Sequence, residues 1–520
     1  MNFETTSIPE FYEGRSVFIT GATGFIGKVL VEKLLRSCPG IQTIYVLMRE
    51  KRGKQPKQRL EELVNCKVFD LVKKEKHEAL QKIVIVTGDL SLPALGVSQA
   101  DLETMSKSVS VVFHSAATVK FDEPLKVAVN MNVLATRRML ELCRKLPNIV
   151  ALVHVSTAYA NCNMKEIAEK VYPPPFPPQK IIDATEWMES SLLDSITPKL
   201  IEDRPNTYTF TKALAENLLI DECGSLPVAI VRPSIVSAAW KEPYPGWIDN
   251  LNGPAGIIVA GGKGVLRTML TKGEVCADVI PVDVVINLML TVAWYTAIQR
   301  PNSILVYNCT SGFMNKLTWD DIMSVTYPNL LKYPSTELFR YPSGSFRRSA
   351  ITNDVCIAFQ HYLPALFVDI MAYIFFQKPG MIRVYQKVHK AVHCLEFFTT
   401  REWTFHCDNV LMLNDALSPE DQETFYFDIR KLNWKYFWEN HVLGCRKFIL
   451  KEDPSTIPEA RKNLRRRYFI SKFTYFLVAL GVWKVFFSRI ISLNSVWYAL
   501  TATFLKFQSF LCVCGIIKEE

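Results

Sequence analysis

The chain has 520 residues, 49% of them hydrophobic, and its 60 Lys and Arg against 51 Asp and Glu give a formal net charge of +9. This hydrophobic content can fill a large core, which excludes an intrinsically disordered protein and a small disulfide-stabilised scaffold. At about 150 residues per domain, the length predicts about three structural units.

The positive charge is concentrated near the C-terminus. Residues 451–520 contain eleven Lys and Arg against five Asp and Glu, and therefore carry about two thirds of the net charge. A nucleic-acid-binding protein is expected to distribute basic residues over its folded body. Here they flank apolar segments, so the pattern favours a membrane lipid bilayer as partner and argues against nucleic acid.

Two apolar segments lie within this basic region. Residues 490–517 contain one charge, Lys506, and exceed the roughly 20 residues that a helix needs to span a bilayer. Residues 468–487 are interrupted by Lys472 and Lys484, and predict either a second span or a helix lying in the interface. We predict that residues 451–520 form a basic linker and membrane anchor; a single span and a hairpin both remain open.

The N-terminal segment and the cysteines indicate the compartment. The first 14 residues lack the apolar stretch of a secretory signal, and the scattered cysteines resemble neither a disulfide framework nor a zinc site. The basic run over 461–467 belongs on the cytosolic face by the positive-inside tendency. We therefore expect reduced cysteines, no metal, and a main body facing the cytosol.

Short β-branched runs alternate with helical segments over residues 16–239. Six of these runs are typical of buried parallel strands: SVFIT, TIYVLM, KIVIVTG, SVVFHSA, ALVHVST and PVAIVRPS. Residues 28–36 and 127–144 are typical of the helices between such strands. This alternation predicts an α/β fold with a Rossmann-type doubly wound parallel sheet. We assign residues 1–350 to this domain, including its substrate-binding part.

Residues 351–450 have a helical, aromatic-rich pattern without recurring strands, and predict a helical C-terminal domain. Within it, residues 362–376 carry only one charge, Asp369. We predict a buried helix there, with a helix that dips into a membrane as the alternative.

A glycine-rich loop joins the first strand to the first helix. The stretch TGATGFIG contains Thr20, Gly21, Thr23, Gly24, Phe25, Ile26 and Gly27. Its glycines permit a tight turn, close approach of a pyrophosphate, and close packing of helix on strand, while the helix N-terminus attracts phosphate. Because the loop has a strand before it and a helix after it, we predict a nicotinamide dinucleotide site.

Arg49 indicates which nicotinamide cofactor is bound. It ends the second strand 22 residues after Gly27, where an NAD-specific site usually has an acidic residue. An arginine can pair with a 2′-phosphate, so we predict NADPH, with Arg52 assisting and Glu50 as the competing acidic candidate. Residues after the third and fourth strands are also predicted to contact the cofactor; these are Asp89, Leu90, Ser115, Ala116 and Ala117.

Tyr208 and Lys212 form a YxxxK pair in a helical context. Four residues make about one helical turn, so both side chains lie on one face. A nearby ammonium is expected to lower the pKa of the phenol, which suits a proton donor and acceptor. The hydroxyls of Ser156 and Thr157 follow a strand end and could hold a substrate carbonyl, and we leave both as candidates. Asn132 is predicted either to hold a relay water or only to kink its helix.

Several stretches together resemble a known family. TGATGFIG, FHSAATV, NVLATR, HVSTAYA, YTFTKALAE and VRPSIV are similar to extended short-chain dehydrogenases/reductases. VYPPPFPP, TPKLIEDRPNTY, WKEPYPGWIDNLNGPAG and ADVIPVDVVINLML resemble the alcohol-forming fatty acyl-CoA reductases in particular. In the family's pattern the strand-end hydroxyl aligns best with Thr157. Lys120 and Ser237 depart from that pattern, where Arg and Gly are expected.

The resemblance implies an enzyme that reduces a long-chain fatty acyl-CoA to a primary alcohol with two NADPH through a bound aldehyde. It also implies attachment to the peroxisomal membrane and a role in ether-lipid or wax synthesis. Residues 172–178 and 240–250 are predicted to wall an acyl tunnel, or alternatively to be rigid surface connectors. The alternative functions are a membrane-attached sterol or steroid dehydrogenase of the same fold, and a non-catalytic NADPH-binding scaffold.

Overall fold

The computed structural model describes residues 6–513, except for the side chains of residues 485, 488–494, 496 and 507–513. The strands in chain order are β1 Ser16–Thr20, β2 Thr43–Met48, β3 Ile83–Thr87, β4 Val109–His114, β5 Ala151–Val155, β6 Glu166–Ile167, β7 Val228–Pro233, β8 Ile235–Ser237, β9 Thr268–Leu270, β10 Val279–Pro281, β11 Leu305–Cys309, β12 Ser345–Arg347 and β13 Thr404–Phe405.

The helices in chain order are α1 Ile8–Phe11, α2 Phe25–Ser37, α3 Pro56–Val64, α4 Asp70–Glu75, α5 Gln99–Ser108, α6 Leu125–Val129, α7 Ala135–Cys143, α8 Pro178–Trp187, α9 Ser190–Ile201, α10 Thr207–Glu222, α11 Pro254–Gly262, α12 Val282–Gln299, α13 Trp319–Lys332, α14 Ala350–Ile357, α15 Leu363–Ile374, α16 Met381–Thr399, α17 Asp408–Asp415, α18 Pro419–Thr424, α19 Trp434–Gly444 and α20 Ile457–Val513.

Seven parallel strands form the main sheet in the order β11-β7-β5-β4-β1-β2-β3. Alternate residues of each strand enter cores on opposite faces: Val17 and Ile19 pack towards α2 and α12, and Phe18 towards α6, α7 and α10. The predicted doubly wound sheet is therefore confirmed. All six predicted strands are present, and β11 is a seventh that the sequence reading missed.

The C-terminal helices share a core with the sheet domain. Phe425, Trp438 and Val442 are buried in the same hydrophobic cluster as the β1 and α12 residues. The β13 strand also pairs with β6, which precedes the predicted boundary at residue 351 by almost two hundred positions. Residues 405–445 consequently pack directly against the elements that carry the glycine loop.

Two helical stretches in the described part of the chain are long and apolar enough to cross a membrane, Val282–Gln299 and Ala350–Ile374. The first is α12, which is 78% buried and is a core helix. The second comprises α14, a π-helical turn and α15, and only 11% of it is buried. Length and hydropathy suit both stretches to a bilayer, but only the second is exposed.

The prediction of a buried helix over 362–376 is wrong. Phe367 is 64% exposed, Tyr373 is 77% exposed and Phe376 is fully exposed. A helix that is apolar on all sides can be buried in protein or can face lipid, and its sequence does not distinguish the two. The exposed side chains favour the alternative prediction, in which this helix dips into a membrane.

The segments predicted as one span or a hairpin lie on a single continuous helix, α20. At 1.5 Å per residue its 57 residues extend about 85 Å. Phe469, Phe473 and Trp483 on this helix are exposed. The backbone does not turn between the two apolar segments up to residue 513, and residues 514–517 of the second segment lie outside the described residues.

Candidate active site

The glycine loop lies at the carboxyl end of β1, where ligands bind in open α/β sheets. Gly21 has a φ of +79°, and a Cβ there would lie 2.9 Å from the amide nitrogen of Ala116. A Cβ on Gly27 would lie 2.2 Å from the Gly21 carbonyl oxygen. Gly24 precedes the first residue of α2, Phe25, so the helix N-terminus opens on this loop. These positions therefore require glycine for the turn and for helix packing.

The end of β4 is fixed against the end of β1. Thr20 Oγ1 hydrogen bonds His114 Nδ1 at 2.9 Å, and Ser115 Oγ donates to the Thr20 carbonyl at 2.8 Å. The Ala116 amide donates to Thr20 Oγ1 at 3.3 Å. The predicted cofactor residues on these two strands thus lie together, and Ala117 continues the same partly buried turn.

Arg49 lies in a basic cluster beside the loop. Its Nη1 donates to Asp89 Oδ2 at 2.8 Å. Arg59 on α3 donates to the Arg49 carbonyl at 2.8 Å and to Thr23 Oγ1 at 2.9 Å. Burial and then the charges of Arg59, Arg49, Arg52 and Lys120 lower the pKa of Lys51, so these cations lie near one another.

Sequence reasoning missed Arg59, although a third arginine within ten residues of Arg49 was visible. Glu50, the competing acidic residue, accepts a hydrogen bond from Gln55 Nε2 at 3.0 Å. Leu90 is buried, and its carbonyl accepts from Arg138 Nη1 at 2.8 Å. Ile26 is partly buried against the core under the loop. The predicted cofactor-binding residues therefore lie together at the carboxyl ends of β1, β2, β3 and β4.

Tyr208 occupies the first turn of α10. Asn206 caps this helix by accepting a hydrogen bond from the Thr209 amide at 2.9 Å. The Tyr208 hydroxyl lies close enough to Thr157, which follows the end of β5, for the Thr157 hydroxyl to lower its pKa, and the Tyr208 ring lies 5.9 Å from that of Phe121. Thr157 Oγ1 also accepts from the Tyr159 amide at 3.3 Å. The structure thus brings together two of the residues predicted for proton transfer.

The pKa of Tyr208 is raised to about 12, chiefly by burial, with the Thr157 hydrogen bond opposing the shift. The expectation that Lys212 would lower it is wrong for this structure. Lys212 Nζ instead donates to the Val155 carbonyl at 2.7 Å. Burial lowers the pKa of Lys212 to about 8, against the opposing charge of Glu216. At neutral pH Tyr208 therefore carries its proton and can donate it.

Ser156 and Thr157 have different partners. Ser156 Oγ donates to Glu216 Oε1 at 2.5 Å. Glu216 also accepts from Arg232 Nε at 2.8 Å and from Arg232 Nη2 at 2.6 Å, and all three side chains are buried. The Ser156 hydroxyl is therefore bound within an ion-pair network, whereas Thr157 lies beside Tyr208.

Asn132 lies in a π-helical turn, residues Asn130–Leu134, between α6 and α7. Its Oδ1 accepts from the Thr118 amide at 2.9 Å, and its Nδ2 donates to Thr211 Oγ1 at 2.9 Å. These bonds join the loop after β4 to α10. Of the two predicted roles, these contacts support the one in which Asn132 distorts its helix. They also fix the position of α10.

An aromatic cluster from distant parts of the chain covers Tyr208. Phe121 contacts Phe398 of α16 at 5.6 Å between ring centroids, and Phe398 contacts Tyr159 at 5.0 Å. Trp403 packs edge-on against Tyr159 at 5.3 Å. Sequence reasoning missed this wall, because no local pattern predicts that residues 398–403 meet residues 121 and 159.

The segments predicted to wall an acyl tunnel lie at two different places. Tyr172 packs against the aromatic cluster, and its hydroxyl accepts from the Ala168 amide at 2.8 Å. Trp247 instead stacks on Phe25 of the glycine loop at 5.3 Å. The tunnel over 172–178 and 240–250 stays a prediction. Of the two departures from the family pattern, Lys120 is exposed beside Glu123, and Ser237 is buried near His441.

The parallel sheet, glycine loop and YxxxK helix define an NAD(P)-binding reductase of the extended short-chain dehydrogenase/reductase type. A family model described as male sterility protein, NAD-binding, matches residues 19–289, and a second with the same description matches residues 360–452. Fatty acyl-CoA reductase 1 of Xenopus laevis is 46% identical over 97% of this chain and 98% of its own length. Fatty acyl-CoA reductase 2 of Homo sapiens is 42% identical over 99% of this chain and 100% of its own length. The chain belongs to the fatty acyl-CoA reductase family and is an oxidoreductase.

Solved structures agree with this fold. The reductase domain of a non-ribosomal peptide synthetase from Mycobacterium tuberculosis matches with a TM-score of 0.55 and 16% identity, covering 86% of this chain and 94% of that chain. The terminal reductase domain of the myxalamid biosynthetic pathway matches with a TM-score of 0.51 and 18% identity, covering 83% and 90%. At these identities the likeness concerns the fold alone.

Proposed function

We propose that this chain reduces long-chain fatty acyl-CoA to a primary alcohol, with NADPH as reductant. The observation that carries the proposal is the contact between Tyr208 and Thr157 at the carboxyl end of β5, with Lys212 one helical turn away and the glycine loop on a neighbouring strand. Membership of the fatty acyl-CoA reductase family supports the acyl-CoA substrate.

The residues divide the proton chemistry between them. When bound, the nicotinamide supplies hydride to the carbonyl carbon. Thr157 and Tyr208 are hydroxyl donors that can hold the carbonyl oxygen as it becomes negative. Tyr208 is protonated at neutral pH and gives its proton to that oxygen, because an alkoxide is a stronger base than a phenolate. Lys212 Nζ donates to the Val155 carbonyl, so its role here is to hold the end of β5, and with it Thr157, against α10.

Two reductions at one site require that the aldehyde stays bound. The aromatic cluster of Phe121, Tyr159, Phe398 and Trp403 supports this, because it places apolar rings beside Tyr208, with Phe121 in direct contact, and so limits the access of water. Departure of CoA after the first hydride transfer leaves the aldehyde carbonyl beside the same two hydroxyls. As CoA leaves as its thiolate, the Tyr208 phenolate takes the proton back from the thiohemiacetal oxygen, so Tyr208 is protonated again for the second reduction.

The choice of NADPH rests on the basic cluster beside the glycine loop. Arg49, Lys51, Arg52, Arg59 and Lys120 supply several cations where the adenosine ribose of a dinucleotide lies in this fold. A 2′-phosphate suits guanidinium groups, which can bind it with two hydrogen bonds. The residues present therefore fit NADPH. The nearby carboxylate of Asp89 is paired with Arg49, so its negative charge is balanced by a cation of the same cluster.

We also propose attachment to the peroxisomal membrane through residues 451–520, with the catalytic domain facing the cytosol. Support comes from the exposed apolar side chains of α20, such as Phe469 and Phe473, after the basic run over 461–467. The organelle rests on resemblance to the family.

Thr157 and Ser156 give contrasting predictions. Thr157→Val keeps the side-chain shape but removes a hydroxyl from the carbonyl oxygen, so kcat should fall about 10²- to 10³-fold. Loss of the bond from the Tyr159 amide should cost about 1 kcal/mol of stability. Ser156→Ala removes a buried bond to Glu216 and should cost about 2 kcal/mol of stability, with kcat within a few-fold of the parent. Steady-state kinetics and thermal unfolding of both variants measure this. The reverse pattern of kcat values would contradict the assignment.

The proposed reaction is tested with detergent-solubilised full-length protein, palmitoyl-CoA or stearoyl-CoA, and either NADPH or NADH. Fatty alcohol should form, and faster with NADPH. A steroid oxidised without alcohol from any acyl-CoA would favour a steroid dehydrogenase. NADPH binding with no product from either substrate would favour a non-catalytic protein.

A further inference from the structure

We infer that the acyl chain of the substrate occupies an apolar cavity between α11, α13, β9 and β12, remote from the polyproline segment. The inference rests on the proposed acyl-CoA substrate and specifies where its alkyl chain lies. The cavity is half open and, together with the solvent space at its mouth, contains about 750 Å³ that no protein atom occupies. Most of its lining is apolar; Ile257, Met269, Trp319, Met323, Phe346 and Trp438 are examples. Such a lining offers an alkyl chain many carbon contacts and few polar groups that need a partner.

Helix α16 connects this cavity with the catalytic tyrosine. Near its C-terminal end, Phe398 belongs to the aromatic cluster over Tyr208. One to three turns earlier, Leu395, Val392 and Val388 pack in a second cluster with Met269 and other residues of the cavity wall. From Val388 to Phe398 the helix rises about 15 Å. One continuous apolar face therefore leads from the carbonyl site to the cavity.

Strand β9 strengthens this connection. Thr399, adjacent to Phe398, donates from Oγ1 to the Leu270 carbonyl at 3.0 Å, and its own carbonyl accepts from the Lys272 amide at 3.0 Å. Leu270 directly follows Met269, which lines the cavity. The cavity wall and the end of α16 are thus held in a fixed relation, and a chain anchored at Tyr208 can extend along β9.

The rim of the cavity lies beside the exposed apolar helices. Arg267 lines the rim, and its Nη2 donates to the hydroxyl of Tyr475 on α20 at 3.0 Å. The Arg267 amide donates to Nε2 of His361, in the π-helical turn before α15, at 2.9 Å. Both helices with exposed apolar side chains therefore meet at this rim. An acyl chain that leaves a bilayer along these helices reaches the cavity at the Arg267 side of its rim.

A binding experiment independent of turnover tests the location. The probe is a palmitoyl-CoA thioether that carries a diazirine near the far end of the chain and has no carbonyl to reduce. After irradiation with the full-length protein, we expect labelled residues on α11, α13 or β12, with labelling suppressed by excess palmitoyl-CoA. Labelling confined to residues 172–178, or to the exposed face of α15, would overturn the inference.

A filling substitution tests the same cavity by kinetics. Gly261 lines the cavity, and a Cβ placed on it meets no atom within 4 Å. Gly261→Leu should lower kcat/KM for stearoyl-CoA about fourfold for each methylene that it excludes. Activity on octanoyl-CoA should change less than twofold, because a short chain ends before the cavity.

Gly261→Ala adds a single carbon to the same wall and should lower kcat/KM for stearoyl-CoA by at most about fourfold, so the two variants grade the effect by side-chain volume. Equal losses of Gly261→Leu on stearoyl-CoA and octanoyl-CoA, with an unchanged thermal midpoint, would contradict the cavity. If Gly261→Leu does not fold, the labelling of the parent protein still decides the location. Absence of alcohol from every acyl-CoA would refute the proposed reaction, whereas labelling elsewhere would refute only the chain position.

Discussion

Replacing Tyr208 with phenylalanine should lower the rate of alcohol formation about 10²- to 10⁴-fold, the range that a positioned general acid contributes. The variant keeps the ring against Phe121 but loses the hydroxyl that lies beside Thr157. Because the glycine loop and Arg49 are untouched, the dissociation constant of NADPH should stay within about twofold. Single-turnover alcohol formation and fluorescence titration with NADPH measure the two effects separately.

Tyr12 offers a matched control for this substitution. It is fully buried, whereas Tyr208 is partly exposed, and its hydroxyl donates to the Leu290 carbonyl of α12 at 3.2 Å. Tyr12→Phe should lose about 1 kcal/mol of stability and keep normal turnover. Full activity in Tyr208→Phe, or an equal loss in Tyr12→Phe, would contradict the assigned role of the Tyr208 hydroxyl.

Replacing Glu216 with alanine should produce the largest loss of stability. Glu216 pairs with Arg232, both side chains are at most 1% exposed, and Ser156 donates to the same carboxylate. Removal leaves a buried guanidinium without its counter-charge, which typically costs about 3 to 5 kcal/mol. For a domain of this size the midpoint of thermal unfolding should fall on the order of 10 °C.

Glu222 on the same helix provides the comparison. It pairs with Arg137 at 2.5 Å, but both side chains are partly exposed. A surface ion pair contributes at most about 1 kcal/mol, so Glu222→Ala should move the midpoint by only a few degrees. Similar shifts in the two variants, followed by differential scanning fluorimetry in detergent, would show that the buried network does not stabilise the fold as described.

Most of the main sheet could be predicted because its strands are continuous apolar runs that alternate with helices. Strand β11 was missed for a physical reason. It follows β7 only after α11, α12 and three short strands. Its five residues, interrupted by the polar Asn308, are too short a run to be told from part of a buried helix by periodicity. Its position at the sheet edge beside β7 is a long-range contact that no local pattern specifies.

The candidate site was predictable where local geometry determines it. Gly21 and Gly27 follow from the turn, and the pairing of Tyr208 with Lys212 follows from helix periodicity. The pKa of Tyr208 was not predictable, because burial under Phe121 and Phe398 depends on tertiary packing. The same applies to the choice between Ser156 and Thr157, which depends on where Glu216 lies.

The helix over 362–376 shows a different limit of sequence reasoning. Composition predicted an apolar helix correctly but assigned it to the protein interior, whereas Phe367 and Phe376 are exposed. An apolar side chain is stabilised by leaving water, whether it enters protein or lipid. Only the fold decides between these two environments.

Isotope transfer tests the central claim most directly. The full-length protein is incubated with palmitoyl-CoA and NADPH that carries deuterium at both C4 positions, and the alcohol is examined by mass spectrometry. The account predicts hexadecanol with two deuterium atoms on C1, one from each hydride transfer, and two NADPH oxidised per alcohol. Release of singly deuterated aldehyde as the final product, or alcohol without deuterium on C1, would contradict it.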